Sequence, residues 1–328
     1  MVVIGRNEGD RLRVCLDSVL RGDDPVVYVD SGSTDGSVDL ARSKAAEVVS
    51  LDMSIPFTAA RARNEGFARL RKIESELRYV QFVDGDCVMA EGWLEAAASY
   101  LDEHSEVAVV CGHLMERNHG ATHYNRLCHL EWQRTPGETP AAGGIFMVRA
   151  SLFTQVGGFD PAVIAAEDDE LCLRIRRAGR KVVFLDHAMA SHDEAMTRFG
   201  QWWKRAKRSG HAYAQGAALH GQSPDRHFVR QCRSIWFWGL AVPLLAIIPA
   251  WWTWGASALL LGGYPALGWR IYAYGRRRGW SGADSRLYAF FTVLAKWPQL
   301  LGMLQYYRNR WQGRRPTLIE YKEVGKPA

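Results

Sequence analysis

The chain has 328 residues, 48% of them hydrophobic, which is room for one large or two ordinary domains with a sizeable core. Its net charge of +6 hides a division, because residues 1–197 hold 21 Lys and Arg against 31 Asp and Glu, whereas residues 198–328 hold 20 against 4. The sequence has no internal repeats or low-complexity tracts, so a repeat array is excluded.

The first half alternates short β-branched runs with amphipathic stretches. This pattern predicts an α/β fold with a doubly wound, mostly parallel sheet. The predicted strands are Val2–Ile4, Val26–Asp30, Glu47–Leu51, Tyr79–Asp84, Val107–Cys111, Ile145–Val148 and Lys181–Leu185. The predicted helices are Asp10–Leu20, Asp35–Lys44, Thr58–Lys72, Glu91–Asp102, Leu152–Val156, Glu167–Ala178 and Thr197–Ser209.

Ligands of such sheets lie beyond the carboxyl ends of the strands, and polar residues collect there in this chain. Arg6-Asn7-Glu8 follows the first strand and the stretch from Asp30 to Asp35 follows the second. A simpler interpretation of the second stretch is a helix N-cap made by Ser33 or Thr34. Neither a dinucleotide fingerprint nor a P-loop follows any strand, so these two nucleotide sites are not supported.

Asp84-Gly85-Asp86 ends the apolar run Tyr79–Val83. Residues two apart on an extended backbone point the same way, so both carboxylates can share one divalent cation, Mg²⁺ or Mn²⁺. The alternative is a turn in which each side chain caps its own backbone.

A second acidic cluster, Glu167-Asp168-Asp169-Glu170, opens a predicted helix. The helix dipole favours an ionised carboxylate there, and such a group can accept a proton. Acids at a helix start also occur only because they satisfy the dipole, and both interpretations remain open.

Six motifs in this order resemble a family 2 inverting glycosyltransferase with the GT-A fold, over about residues 1–210. They are Val3–Glu8, Asp30–Ser37, Ala62–Gly66, Asp84–Asp86, Gly157–Asp160 and Glu167–Gly179. The resemblance implies that Asp30 pairs with the nucleobase of a nucleotide-diphosphate sugar. It also implies that Asn7, Glu8 and Arg63 line the nucleotide pocket and that Asp84 lies near the ribose.

The same resemblance implies that Asp86 ligates the metal and that Asp168 is the general base, with Glu167 beside it toward the acceptor. His192 is expected to be a second metal ligand or a diphosphate contact, or else a surface residue in an ion pair. Lys204, Arg205 and Arg208 share a helix and can neutralise diphosphate. Gln201–Arg205 is only loosely similar to the corresponding element of processive polysaccharide synthases, which puts polymerisation in doubt.

Histidines and a cysteine between residues 113 and 129 are compatible with a zinc cluster or with an acceptor-binding loop. They are His113, His119, His123, Cys128 and His129. No pair has the short spacing of a structural zinc site, so a polar acceptor-binding loop is favoured. The six cysteines show no paired spacing and no signal peptide is visible, which predicts reduced thiols and a cytosolic N-terminal half.

Ile235–Trp254 has no charge over 20 residues, and Gly255–Tyr274 has one, Arg270. Both flanks are basic, so the positive-inside rule predicts a transmembrane hairpin with both ends in the cytosol. Leu287–Tyr307 carries Lys296 at its middle and is predicted to lie in the interface, broken near Pro298. The arginines expected against anionic lipid are Arg308, Arg310, Arg314 and Arg315. The alternative is a buried helical domain of a soluble protein.

The predicted domains are 1–210 (catalytic), 211–233 (amphipathic linker), 234–275 (hairpin) and 276–328 (basic interfacial helix and tail). Together these features predict an inner-membrane glycosyltransferase with a cytoplasmic catalytic domain and a lipid-linked or saccharide acceptor. A homo-oligomer is compatible with the sequence, and nucleic acid is not an expected partner. Two alternatives are a polysaccharide-elongating subunit that needs a partner channel and a non-catalytic nucleotide-sugar-binding scaffold.

Overall fold

The computed structural model describes residues 1–22, 24–44, 46–314 and 319–320. Arg315 and the last eight residues, part of the predicted basic tail, lie outside the described residues. The chain forms two compact units. The first contains Met1–His119 and Glu131–Ala195, and the second contains Gly120–Leu130 and the described residues from Met196 onward.

The first unit is an α/β structure. Its strands are β1 (Val2–Gly5), β2 (Val27–Asp30), β3 (Glu47–Ser50), β4 (Tyr79–Asp84), β5 (Cys87–Met89), β6 (Val107–Glu116), β7 (Gly137–Glu138), β8 (Phe146–Arg149) and β9 (Lys181–His192). Its helices are α1 (Asp10–Val19), α2 (Ser37–Ser43), α3 (Ala59–Ile73), α4 (Trp93–Glu103), α6 (Ala150–Gln155) and α7 (Glu167–Arg177). Helix α5 (His123–Trp132) precedes β7 in the chain.

All nine strands belong to one sheet with the order β3-β2-β1-β4-β8-β6-β9-β5, and β7 pairs with β9. This confirms the predicted α/β class. The sheet is more mixed than predicted, because of the eight pairings among the described strands only β1–β2, β1–β4, β2–β3 and β6–β9 are parallel. The parallel strands β1, β2 and β4 end side by side, with Gly5 opposite Asp30 and Ile4 opposite Asp84.

Close packing of α3 on the sheet explains one of the sequence motifs. A Cβ atom added at Gly66 would lie 2.3 Å from Val2 Cγ1 and 2.8 Å from Val29 Cγ2, so only glycine lets the helix approach β1 and β2 this closely. Both side-chain ends of Asn64 bind the main chain of Phe159, with Nδ2 donating to its carbonyl at 2.8 Å and Oδ1 accepting from its N–H at 2.9 Å. Helix α3 therefore packs closely on the sheet and also holds the loop Gly157–Asp160 in place.

Four strands of the first unit were missed or predicted too short. Strands β5 and β7 were missed, because runs of three and two residues carry no detectable alternation. Strands β6 and β9 extend five and seven residues beyond their predicted ends, because their polar ends pair with each other from His113 to Glu116.

All six cysteines are buried thiols outside any disulfide.

The predicted polar loop around the histidines is wrong. His113 lies on β6, with Nε2 2.8 Å from Asp186 Oδ1, and residues 123–132 form α5. Leu127, Cys128 and Leu130 are buried on one side of this helix. The polar residues around them obscured this helical pattern in the sequence.

The second unit is helical. Its elements are α8 (Phe199–His220), α9 (Val229–Trp236), a π-helical turn (Phe237–Ala241), α10 (Val242–Ile247), two 3₁₀ segments (Ile248–Ala250 and Ala256–Gly262), α11 (Gly263–Arg277), α12 (Gly282–Leu294) and α13 (Lys296–Trp311). Helices α8 and α13 touch through glycine. A Cβ atom at Gly210 would lie 2.0 Å from the Gln299 carbonyl oxygen, and one at Gly302 would lie 1.9 Å from that of Lys207. Such small-residue contacts are typical of helix packing in membranes.

The long apolar helices differ from the predicted spans. Val229–Ala250 and Gly282–Trp311 are long and apolar enough to cross a bilayer. The predicted second span, Gly255–Tyr274, is divided between a 3₁₀ segment and α11, because Gly262-Gly263 and Pro265 interrupt a regular helix. The predicted break near Pro298 lies at Ala295, between α12 and α13.

Candidate functional site

The loops that follow β1 and β2 hold each other through side-chain contacts. The Asn7 backbone N–H donates to Ser33 Oγ at 2.9 Å, and Asn7 Oδ1 accepts from the Thr34 N–H at 2.7 Å. Asp30 is 3% exposed, and its Oδ2 accepts from the N–H groups of Gly32 and Ser33, each at 2.9 Å. The predicted N-cap role of Ser33 or Thr34 is wrong, because α2 begins after Gly36 with no side-chain cap. Ser33 and Thr34 instead tie the two loops together.

Arg63, on α3, joins two carboxylates that are distant in sequence. It is 2% exposed; its Nη1 donates to Glu167 Oε1 at 2.5 Å and its Nη2 to Asp84 Oδ1 at 2.8 Å. Burial by itself would lower the pKa of Arg63, but the nearby carboxylates outweigh it and raise that pKa. The guanidinium therefore stays charged and fixes the end of β4 beside the start of α7.

Asp168 and Asp169 follow Glu167 in the first turn of α7 and are half-buried. Burial raises the pKa of Asp168, Glu167 raises it further, and Arg63 opposes this in part. Burial and the neighbouring Asp168 likewise raise the pKa of Asp169, against the opposing charge of Arg134. These effects outweigh the helix dipole, which alone would lower both values. A carboxylate with a raised pKa is a stronger base, so Asp168 is suited to accepting a proton.

Asp86 and His192 come together where β4 and β9 end. They are 3% and 6% exposed, and Asp86 Oδ1 lies 3.1 Å from His192 Nε2. Two ligands of one octahedral ion bound at about 2.1 Å lie about 3.0 Å apart, so this pair fits a single divalent cation. Cys87 Sγ lies 3.6 Å from the same Asp86 oxygen. Within the described residues, Asp86, Cys87 and His192 are the group of possible ligands close enough to hold a metal ion.

This geometry also settles one alternative interpretation from the sequence. With 6% exposure, His192 is not a surface residue. The zinc cluster proposed for residues 113–129 is not among the candidate metal sites of the part of the chain that the structure describes.

Two other predicted residues have different surroundings. Glu8 Oε2 lies 2.9 Å from Arg11 Nη2, one turn ahead on the same loop and helix. Arg205 lies on α8 in the second unit, and its place in a donor site stays a prediction.

Sequence reasoning missed Arg134 and the Gly143-Gly144 pair. Arg134 Nη1 donates to the Ala141 carbonyl at 2.6 Å, and its charge acts on Asp168 and Asp169. A Cβ atom at Gly144 would lie 3.1 Å from Arg63 Nη2 and 3.2 Å from Asp84 Oδ2. The only signal was the dipeptide Gly143-Gly144 before β8, which marks a close approach of backbone to other groups.

Two family models match the chain. The model described as Glycosyl transferase family 2 matches residues 1–154, and the model described as Glycosyl transferase family group 2 matches residues 79–306. The second match covers well over half of the chain, and the first contains the loops after β1, β2 and β4.

Relatives share parts of the sequence. The chain is 28% identical over 179 residues to the Pre-mycofactocin glycosyltransferase of Mycobacterium tuberculosis, a match that covers 51% of this chain and 36% of that protein. It is 25% identical over 245 residues to Glycosyltransferase AglE of Haloferax volcanii, covering 71% and 76% of the two chains. The chain thus spans about a third of the length of the mycobacterial relative.

The fold is also found in a solved structure. The mannosyltransferase PcManGT from Pyrobaculum calidifontis, in complex with GDP-Man and Mn²⁺, is similar with a TM-score of 0.57 and 19% identity, covering 94% of this chain and 87% of that one. At this identity the likeness concerns the fold.

Proposed function

Because this chain belongs to glycosyltransferase family 2, we propose that it moves a sugar from a nucleotide-diphosphate sugar to an acceptor hydroxyl with inversion of the anomeric configuration. The observation that carries this proposal is the Arg63 network, which holds Asp84 and the acidic start of α7 together. Purified chain incubated with a panel of nucleotide sugars should release nucleoside diphosphate from one of them. If no nucleotide sugar in the panel is hydrolysed or transferred, with or without Mn²⁺, the proposal fails.

In the proposed reaction, Asp168 accepts the proton of the acceptor hydroxyl as that oxygen attacks the anomeric carbon. The bond between the anomeric carbon and the diphosphate oxygen breaks, and the nucleoside diphosphate leaves with the electron pair. One displacement inverts the configuration through a transition state of oxocarbenium character, by analogy with glycosidases. Glu167, bound by Arg63, keeps the start of α7 in place for this step.

The donor site is proposed to consist of the loops after β1, β2 and β4. The proposed residues in these loops are Asn7, Glu8, Asp30 and Asp84, together with Arg63 of α3. Asp86 and His192 would hold a divalent cation, which supplies charge neutralisation of the diphosphate when bound. The complex of the Pyrobaculum mannosyltransferase with GDP-Man and Mn²⁺ supports this donor class and cation.

We expect Asp86→Ala to weaken Mn²⁺-dependent donor binding by at least about 100-fold, because losing a residue next to a metal ligand already costs about 10–100-fold in metal affinity. Isothermal titration calorimetry with the nucleotide sugar that is active in the panel, with and without Mn²⁺, measures this change in affinity. Asp39→Ala, an exposed acid on α2, is the matched control and should bind like the parent. Unchanged affinity of Asp86→Ala in Mn²⁺ would remove the metal role.

We also propose that the second unit anchors the enzyme in the inner membrane, with the catalytic unit in the cytoplasm and a lipid-linked saccharide as acceptor. In each of the two long helices, only 28% of the most apolar 18-residue stretch is buried within the protein. This favours lipid, and not a protein core, around these helices. A turn joins Val229–Ala250 to the 3₁₀ segment Ala256–Gly262. In this turn the exposed fractions of Trp251, Trp252 and Trp254 are 88%, 74% and 98%. Tryptophans at this density mark a membrane interface.

The lengths of the two legs are compatible with a hairpin that crosses and returns. The 22 residues of Val229–Ala250 extend about 33 Å at helical rise. Ala256–Gly262 and α11 together extend about 36 Å. Both exceed the roughly 30 Å hydrocarbon core. Anchoring raises the local concentration of a membrane-borne acceptor.

A cysteine introduced at the turn reports whether the hairpin crosses. We expect Trp254→Cys to react with a membrane-impermeant maleimide in right-side-out vesicles and not in inside-out ones, since all six native thiols are buried. Arg277→Cys, exposed at the end of α11, is the matched control and should react only in inside-out vesicles. If both cysteines react from the same side, the hairpin does not span the bilayer.

A further inference from the structure

His192 lies between two buried carboxylates. Its Nε2 is 3.1 Å from Asp86 Oδ1, and its Nδ1 is 3.3 Å from Glu194 Oε2. Glu194 is 3% exposed, so it belongs to the interior of the first unit and not to its surface. The Trp132 ring lies nearly perpendicular to the imidazole, with 5.0 Å between ring centres. The imidazole therefore has a buried carboxylate near each of its nitrogens and an aromatic ring packed against it.

Glu116 holds the segment that carries Glu194. It is 1% exposed; its Oε2 accepts from the Glu194 N–H at 3.1 Å and its Oε1 from the Asn118 N–H at 3.2 Å. Glu116 also stands opposite His192 in the pairing of β6 with β9, where the Arg117 N–H donates to the His192 carbonyl at 2.9 Å. The end of β9 and the residues after it are thus fixed to β6 on both sides of the imidazole.

We propose that Glu194 is a positioning residue for the metal site. The Glu194 carboxylate lies within ion-pair distance of His192 Nδ1. With a cation bound, it would accept Nδ1–H and select the tautomer that leaves Nε2 for the ion shared with Asp86. Histidines that ligate metals almost always donate their other N–H to such an outer group, which fixes the ring and raises its basicity. The inference rests on the proposed function, because it assumes that Asp86 and His192 hold a divalent cation. It adds a residue that none of the six motifs contains.

Mn²⁺ binding in the absence of donor tests this role directly. We expect Glu194→Ala to weaken the affinity of the purified chain for Mn²⁺ by about 10–100-fold, measured from the electron paramagnetic resonance signal of unbound Mn²⁺. Glu194→Gln keeps the volume and an acceptor oxygen, so its loss should be smaller. Asp186→Asn, an exposed acid on the same strand, is the matched control and should bind Mn²⁺ like the parent.

A merely structural role would lower the Tm and weaken the binding of nucleoside diphosphate in EDTA, whereas a positioning role leaves both unchanged. If Asp86→Ala weakens Mn²⁺ binding and Glu194→Ala does not, the positioning role is refuted while the metal site stands. If Asp86→Ala has no effect either, the proposed metal site itself fails. Should Glu194→Ala not fold, Glu194→Met, which keeps the volume but has no acceptor oxygen, decides alone, and Mn²⁺ affinity equal to that of the parent overturns the inference.

Discussion

Asp168→Asn is expected to lower kcat by about 10²–10⁴-fold, the usual contribution of a general base, and to leave the affinity for donor nearly unchanged. Asparagine keeps the shape of the side chain but cannot take a proton. The substitution removes a carboxylate that Glu167 repels, so the Tm should not fall. Steady-state kinetics with a saturating acceptor and calorimetric titration of the donor separate the two effects.

The pH dependence gives the same assignment a second test. Asp168 must be ionised to act as a base, and its pKa is raised by burial and by Glu167. Activity should therefore fall as the pH falls through this raised pKa, at a higher pH than an ordinary aspartate would require. The residual activity of Asp168→Asn should lack this acid limb.

Asp169→Asn is the matched control, because it removes the next acid of the same helical turn. It should keep most of the activity. If Asp169→Asn loses as much kcat as Asp168→Asn, or if Asp168→Asn turns over like the parent, the base is not Asp168.

The sequence was sufficient for the class of fold, because its central strands are continuous apolar runs. Val2–Ile4 and Val27–Val29 are buried on both faces, and such strands stand out against amphipathic helices. Strand direction is a different matter. Strand β8 runs antiparallel between β4 and β6, and no local pattern in Phe146–Arg149 encodes its direction.

The site was predictable as far as motifs marked it. Asp84, Arg63 and Glu167 come from three separate motifs, and the structure joins them through one guanidinium. Arg134 and Glu194 lie outside the motifs, and their relation to the site depends on tertiary packing. The pKa direction of Asp168 was likewise out of reach, since burial and repulsion oppose the helix dipole that the sequence displays.

The sequence did not show the full extent of the third apolar stretch. Lys296 argued against a span, yet it lies within the 30-residue helix Gly282–Trp311, where its carbonyl oxygen is close to Gly239. A charge inside an apolar stretch does not by itself exclude a span. The aliphatic part of a lysine side chain can lie along a helix contact while its ammonium group reaches a polar region. The interfacial position of Leu287–Tyr307 stays a prediction.

Arg63→Met is expected to destabilise the protein by about 3–5 kcal/mol, because it leaves the buried Glu167 carboxylate without its charged partner. Asp84, whose side chain is 34% exposed, should contribute less to this loss since water reaches it. The corresponding fall in Tm is about 6–20 °C, measurable by differential scanning fluorimetry. Arg71→Met, an exposed arginine on the same helix, is the control and should change the Tm little.

A double variant distinguishes a lost ion pair from simple misfit of the methionine. Glu167→Gln removes the charge that Arg63→Met leaves unpaired, so Arg63→Met with Glu167→Gln should be more stable than Arg63→Met alone. Transfer activity should not return with stability, because the double variant still lacks the guanidinium that binds Asp84 and sets the start of α7. If the double variant is less stable than Arg63→Met, the energetic link between α3 and α7 does not run through this pair. In that case the geometry around Asp168 depends on other contacts of α7.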